Sequence, residues 1–258
     1  MDIPIWNRER GLRLTVLKVG GAVVEDAASL NALIREFAAI EGHKVLVHGG
    51  GRSATSLAAK LAIETKMVDG RRITDDEMLR IVTMVYGGLV NKNIVARLQA
   101  AGVNALGLTG ADMNIVRSHR RPLKNGIDYG WVGDVDNVDG ERLASLLRDG
   151  ITPVIAPLTH DCQGHLLNTN ADTMAQAVAC ALASYFQVTL RFAFEKKGVM
   201  GNPDDPQSFI PQISEADFAR LRAEGIISGG MIPKLENAFT AIHQGVRQVE
   251  IGETVIKT

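Results

Sequence analysis

LTVLKVGG, residues 14–21, is a short apolar run halted by two glycines, which reads as a buried strand ending in a tight turn. KVLVHGGG, residues 44–51, repeats the arrangement with three glycines. Between the two runs Leu30, Leu33, Ile34 and Phe37 recur at i, i+3, i+4 and i+7, a helical period that closes at Gly42. After the second run, Ala54, Leu57, Ala58 and Leu61 share one helical face. Strand, glycines, helix, strand, glycines, helix is the rhythm of a parallel sheet covered by helices.

The pattern continues outward. Thr74-Asp75-Asp76-Glu77 reads as a capping box, with Thr74 as N-cap and Glu77 at the third helical position. Met78, Ile81, Val82, Val85 and Leu89 supply the apolar stripe of the helix it opens, and Gly87 and Gly88 bend or divide that helix. A strand follows at 105–108. Residues 114–138 are polar and carry Gly126, Gly130 and Gly133, so they read as a hairpin excursion. A helix at 141–148 leads into a strand at 152–156, then a turn at 161–164, a helix from 171 to about 182 and a strand at 188–194. Helices near 214–224 and 232–244 precede a last strand near 248–251. With no internal repeat or linker, one continuous α/β domain over 1–258 is expected.

Composition narrows the partners. The 258 residues are 46% hydrophobic and 22% charged, which is ordinary for a soluble chain long enough to bury a core without staples. A net charge of -1 with scattered Lys and Arg argues against a nucleic-acid surface. Cys162 and Cys180 lack metal-ligand spacing, no apolar run is long enough for a membrane span, and the first residues form no signal core. The expectation is a cytoplasmic protein.

The chemistry gathers at glycines and lysines. Gly20-Gly21, Gly49-Gly50-Gly51 and Gly229-Gly230 each lie where a chain can bring backbone N–H groups close to an anion, although each pair alone also reads as a plain turn. Neither GxxxxGK[ST] nor a GxGxxG after the first strand is present, so phosphates would be held another way. Lys18 interrupts an apolar strand, a costly place for an ammonium without a counter-charge unless it snorkels from an edge. Lys234 stands in the first turn of a helix, against the macrodipole, unless it is a plain surface lysine. Asn168-Thr169-Asn170-Ala171-Asp172 opens another helix, where Asn168 or Asn170 reads as the N-cap and Asp172 as the carboxylate to hold both lysines. Arg72 suits a bidentate grip on a substrate carboxylate, or is a solvated loop arginine.

Taken in order, LKVGG (17–21), HGGG (48–51), GRRITDDE (70–77), GLVNKN (88–93), LTGAD (108–112), VGDV (132–135), PVIAP (153–157), NTNAD (168–172) and GGMIPKLENA (229–238) make the chain resemble the N-acetylglutamate kinases of the amino acid kinase family. The resemblance runs from about residue 14 to 245. It implies a three-layer αβα sandwich around a mainly parallel sheet, with acyl-glutamate held by an N-lobe of about 1–183 and MgATP by a C-lobe of about 184–258. It implies phosphorylation of the side-chain carboxylate of N-acetyl-L-glutamate, or a close N-acyl-glutamate such as the succinyl compound, in arginine biosynthesis. By the same resemblance Lys18 and Lys234 neutralise the transferring phosphoryl group and Asp172 orients both. Gly49, Gly50, Gly51, Arg72, Asn168 and Asn170 bind the acyl-glutamate. Gly20, Gly21, Glu195, Lys196, Lys197, Gly198, Gly229, Gly230 and Met231 contact the nucleotide. Mg²⁺ would ride on phosphate oxygens and water rather than on a protein cage. A carboxylate acceptor is already ionised at neutral pH and needs no general base, so His48 reads as structural.

Two departures stand out. Related kinases carry a Ser/Thr-Asp pair where this chain has Phe194-Glu195, and relatives often have a longer tail than GETVIKT. The short stretch before the first strand implies a homodimer without arginine feedback. The rival readings are a sister kinase with another acid acceptor and a catalytically silent ligand sensor on the same fold.

Overall fold

The computed structural model describes residues 11–257 apart from 69–70, 124, 194–195, 203 and 230. The opening run forms β1 (Arg13–Val19), followed by a single-turn helix α1 (Gly21–Glu25) and the predicted α2 (Ala27–Ala39). The second run forms β2 (His43–His48), and its glycines lead into α3 (Gly51–Lys60). Leu61 lies just past this helix and is exposed, so the face ends one turn earlier than its period suggests.

A hairpin of β3 (Met67–Val68) and β4 (Arg71–Arg72) precedes α4 (Asp76–Val82). Here the reading needs correcting: the N-cap is Asp75, whose carboxylate accepts from the Met78 N–H at 2.8 Å, and not Thr74. Thr74 is fully buried, and its hydroxyl accepts from the Asn168 side-chain amide. A helical period cannot tell which of two adjacent capping residues turns inward.

The long helix is divided, but not by a kink. Thr83–Val90 is a π-helix, running into α5 (Asn91–Ala100). Its wider turns rotate the inward face, so Tyr86 and Val90 are buried while the predicted Leu89 is 59% exposed.

β5 (Ala105–Leu108) is followed by the expected antiparallel excursion, β6 (Val116–Arg120) and β7 (Gly133–Val138). Then come α6 (Gly140–Arg148), β8 (Thr152–Ile155), β9 (Leu158–His160), β10 (Leu166–Asn168), α7 (Ala171–Leu182) and β11 (Gln187–Phe192). β12 (Gln212–Ile213), α8 (Glu215–Ala223), α9 (Met231–His243), β13 (Gln248–Ile251) and β14 (Thr254–Ile256) complete the chain. β14 was not foreseen. It folds back antiparallel on β13 and pairs with β12 at the sheet edge.

Among the described residues the main sheet has eight strands in the order β12-β14-β13-β11-β1-β2-β8-β5, parallel except for β13–β14. Alternate side chains of β1 enter different cores. Leu14 and Val16 join the core under α6, α7 and α9, whereas Leu17 and Val19 join the core under α2, α3, α4 and α5. The result is a three-layer αβα sandwich. A smaller sheet, β10-β9-β6-β7, stands beside it near the C-terminal ends of the central strands. No helix among the described residues is long and apolar enough to cross a membrane.

Candidate active site

Strand parity places Lys18. It follows Val16 on the face of α7 and α9, where it meets the first turns of both helices. Its Nζ stands 2.7 Å from Asp172 Oδ1, and Lys234 Nζ donates to Asp172 Oδ2 at 3.0 Å. The Lys18 contact is an ion pair outside hydrogen-bond alignment, so Oδ1 carries no well-formed hydrogen bond. All three side chains are largely buried, with the lysines 14% and 15% exposed. Lys18 is therefore no snorkelling edge residue, and Lys234 no surface one.

Burial pushes the Asp172 carboxyl up, but the two ammonium charges outweigh it and hold it below its ordinary value. Burial draws the Lys234 ammonium down; Asp172 opposes the shift and Lys18 adds to it. Lys234 also lies 4.8 Å over the Phe192 ring, a contact that offsets its position against the helix dipole. Two cations on one anion leave a net positive charge facing outward.

The glycine turns abut. β1 and β2 are paired in parallel register through Val19 and His48, which brings Gly20-Gly21 beside Gly49-Gly50-Gly51. A Cβ on Gly21 would sit 3.6 Å from the Gly51 nitrogen, and one on Gly49 would sit 3.2 Å from the Gly21 nitrogen. Backbone meets backbone there.

Gly49, Gly50 and Gly51 line a cavity of about 180 Å³ together with Arg72, Tyr86, Asn168, Thr169, Asn170 and Ala171. That is smaller than the roughly 300–1,000 Å³ of drug-sized pockets. Arg72 is buried and donates to the Gly51 carbonyl at 2.8 Å and to Thr55 Oγ1 at 2.9 Å. It has no carboxylate partner among the described residues. A buried guanidinium without a counter-charge is a standing demand for an anion. Asn168 spends one amide N–H on Thr74 at 2.9 Å, which fixes the amide at the cavity wall with Oδ1 as an acceptor. Asn170 is the N-cap of α7, accepting from the Asp172 and Thr173 N–H groups at 2.9 and 3.0 Å. Only its Nδ2 remains for a ligand.

Sequence reasoning missed several wall residues. Met67, Arg71, Tyr86, Val132 and Pro157 line the same cavity. Arg71, half-buried, makes no ion pair among the described residues; burial and the nearby Arg121 pull its guanidinium down, with Asp134 opposing. Its only advance signal was its place in GRRITDDE. Tyr86 had none, because its orientation depends on the π turn.

A second cavity of about 160 Å³ is lined by Lys196, Gly198, Val199, Ile227, Ser228 and Met231, among others. Met231 opens α9 three residues before Lys234, just as Ala171 opens α7 one residue before Asp172. Asp172 and Lys234 thus sit in the first turns of the two helices whose opening residues line the two cavities, although none of the three charged residues itself lines either one. Gly229 adopts φ 55°, the left-handed turn its type permits. Lys197 is directed elsewhere, 4.7 Å over the Phe209 ring and 3.6 Å from Glu253. Glu195 and Gly230, with Phe194, lie outside the described residues. Both Asp172 oxygens face ammonium groups, so this carboxylate is not free for a metal, and a Mg²⁺ ion fits the site as part of a phosphate complex.

The model of the family described as "Amino acid kinase family" matches residues 13–253. The acetylglutamate kinase of Bacteroides fragilis is 65% identical over 239 residues, which is 93% of this chain and 91% of that protein. Among solved structures, smu.665 from Streptococcus mutans UA159 superposes with a TM-score of 0.79 at 29% identity, covering 95% of this chain and 98% of that one. N-acetylglutamate synthase from Neisseria gonorrhoeae, complexed with coenzyme A and N-acetyl-glutamate, superposes with a TM-score of 0.81 at 21% identity. It covers 99% of this chain and 61% of that one, a likeness of fold alone.

Proposed function

We propose, for a chain that belongs to the amino acid kinase family, that it transfers the γ-phosphoryl group of ATP to the side-chain carboxylate of N-acetyl-L-glutamate or a close N-acyl-glutamate, a step of arginine biosynthesis. The observation that carries the reading is the pair of ammonium groups on one buried carboxylate, Asp172 and Lys234 lying in the first turns of helices whose opening residues, Ala171 and Met231, each line a cavity.

The acyl-glutamate occupies the cavity of Gly49–Gly51, with its α-carboxylate on Arg72 and its amide N–H on Asn168 Oδ1. The nucleotide lies against the C-terminal half, with its base end in the cavity of Lys196, Gly198 and Met231. A carboxylate oxygen of the acceptor forms the new P–O bond as the bond to the ADP oxygen breaks, and an acyl phosphate results. Charge spreads over the phosphoryl oxygens and the leaving oxygen, where Lys18 and Lys234 receive it. Asp172 keeps both ammonium groups charged and aimed. The acceptor needs no proton removed. Mg²⁺ supplies charge neutralisation on the nucleotide phosphates. The enzyme works in the cytoplasm as a homodimer; the exposed Met84 and Leu89 on the π segment and Leu106 on the edge strand support the association alone.

The test is MgATP turnover with hydroxylamine trapping of the acyl phosphate, comparing N-acetylglutamate, N-succinylglutamate, glutamate and aspartate. Product with an N-acyl-glutamate and little with the free amino acids is expected. No trapped product from any of the four ends the reading.

A further inference from the structure

His48 and Asn91 take no part in the chemistry above, yet both are buried behind the glycine loop. His48 faces the core opposite the one that holds the charged trio. Its Nδ1 lies 2.7 Å from the Gly49 carbonyl, and its Nε2 lies 3.1 Å from Asn91 Nδ2. Since a carbonyl can only accept and an amide nitrogen can only donate, the ring is the neutral tautomer with its proton on Nδ1. The second Asn91 N–H goes to the Val154 carbonyl at 2.9 Å, so the amide cannot turn over.

The π segment makes this contact possible. The Asn91 N–H reaches the Tyr86 carbonyl, a five-residue step. In an α-helix, residues five apart point about 140° from each other. In the wider turn both face the glycine loop. Asn91 supports His48, while the Tyr86 ring stands 2.7 Å from where a Cβ on Gly50 would be.

The consequence lies in the peptide joining Gly49 to Gly50. It is planar and trans, so its C=O and N–H point in opposite directions. The Gly49 N–H is already tied to the Val19 carbonyl at 2.8 Å. With the Gly49 carbonyl held on the buried His48, the Gly50 N–H is turned away from the core, and it has no acceptor among the described residues. We propose that His48 and Asn91 are positioning residues that lock this peptide so that the Gly50 N–H faces the cavity as a phosphoryl-oxygen donor. Rotation of the peptide would replace that donor with a carbonyl dipole repelling the same anion. The role rests on the phosphoryl-transfer reading of the site.

The test compares two substitutions that keep different halves of the imidazole. His48→Asn retains a donor where Nδ1 stands, whereas His48→Gln carries its amide out to the place of Nε2. Relative to His48→Asn, His48→Gln should lower kcat between about 10- and 100-fold while KM for N-acyl-glutamate stays within about threefold. Crystal structures of the two variants should show the Gly49 carbonyl rotated toward the cavity in His48→Gln alone. Asn91→Leu, which removes the support without touching the loop, should lower kcat in the same KM-independent way and serves if His48→Gln does not fold. Equal kcat in the two His48 variants, or an unrotated peptide in both, overturns the proposal. If the wild-type protein phosphorylates none of the acids, the kinase reading fails, and the crystal structures still decide whether His48 sets the peptide.

Discussion

Lys18 and Lys234 hold opposite oxygens of a single carboxylate, Asp172, at 2.7 and 3.0 Å. One lysine comes from the second-last residue of a central strand and the other from the first turn of a late helix. Two like charges this close are stable because the anion lies between them, and each ammonium keeps protons for a further acceptor.

Removing either cation should expose its role. Lys18→Ala and Lys234→Ala are each expected to lower kcat by at least about 10²-fold, the scale of a lost transition-state charge contact. Steady-state kinetics on folded variants measures it, and near-normal kcat in either removes that lysine from the mechanism.

Asp172→Asn leaves two ammonium groups facing each other. A loss of roughly 1–3 kcal/mol is expected, less than the 3–5 kcal/mol of a fully buried pair because the site is partly open. Urea denaturation reads the loss, and stability equal to wild type would mean the carboxylate is not what holds the lysines.

Arg72→Gln should raise KM for the acyl-glutamate roughly 10- to 100-fold, the worth of hydrogen bonds to a charged group, with a smaller change in KM for ATP. A larger effect on ATP would place the guanidinium on the other substrate.

Arg71 gives a prediction about the acyl group. Arg71 lines the cavity and makes no ion pair among the described residues, so its guanidinium attracts any further negative charge there. Arg71→Leu should weaken N-succinylglutamate about tenfold more than N-acetylglutamate, since only the first carries a carboxylate at its acyl end. Equal weakening would show that the acyl end does not reach Arg71.

His48 predicts a pH dependence of stability. Burial lowers its pKa from 6.5 to about 4, with the Gly49 carbonyl opposing and Lys92 assisting. The unfolded chain therefore binds the extra proton first as pH falls. The stability present above pH 6.5 is lost between about 6.5 and 4, by at most about 3 kcal/mol, and no further loss comes from this group below that. Urea midpoints across that range should fall less steeply in His48→Asn, and identical slopes would contradict the assignment.

Much of the site was legible before any coordinate. Lys18, Lys234 and Asp172 each broke a local rule, an ammonium in a strand, a cation at a helix start and a third polar residue beside a cap. Such conflicts with local preference mark places where something else must compensate. Arg72 was open to two readings in the sequence, a carboxylate grip or a solvated loop arginine, and its burial at the cavity wall rules out the second. Asn170 is the cap of α7 and also lines the cavity, so its two readings are compatible.

The linear pattern of apolar residues by itself determined the central strands, most helices and a parallel sheet covered by helices, because burial periods of two and 3.6 are properties of a few neighbouring residues. It also marked which glycines and charges were out of place. Only the tertiary structure decided that Lys18 and His48 face opposite cores, that the capping residue is Asp75, and that a π turn swings Tyr86 and Asn91 onto the glycine loop. Those outcomes depend on strand register and on backbone torsions chosen by packing between segments far apart in the chain, and no local period encodes them.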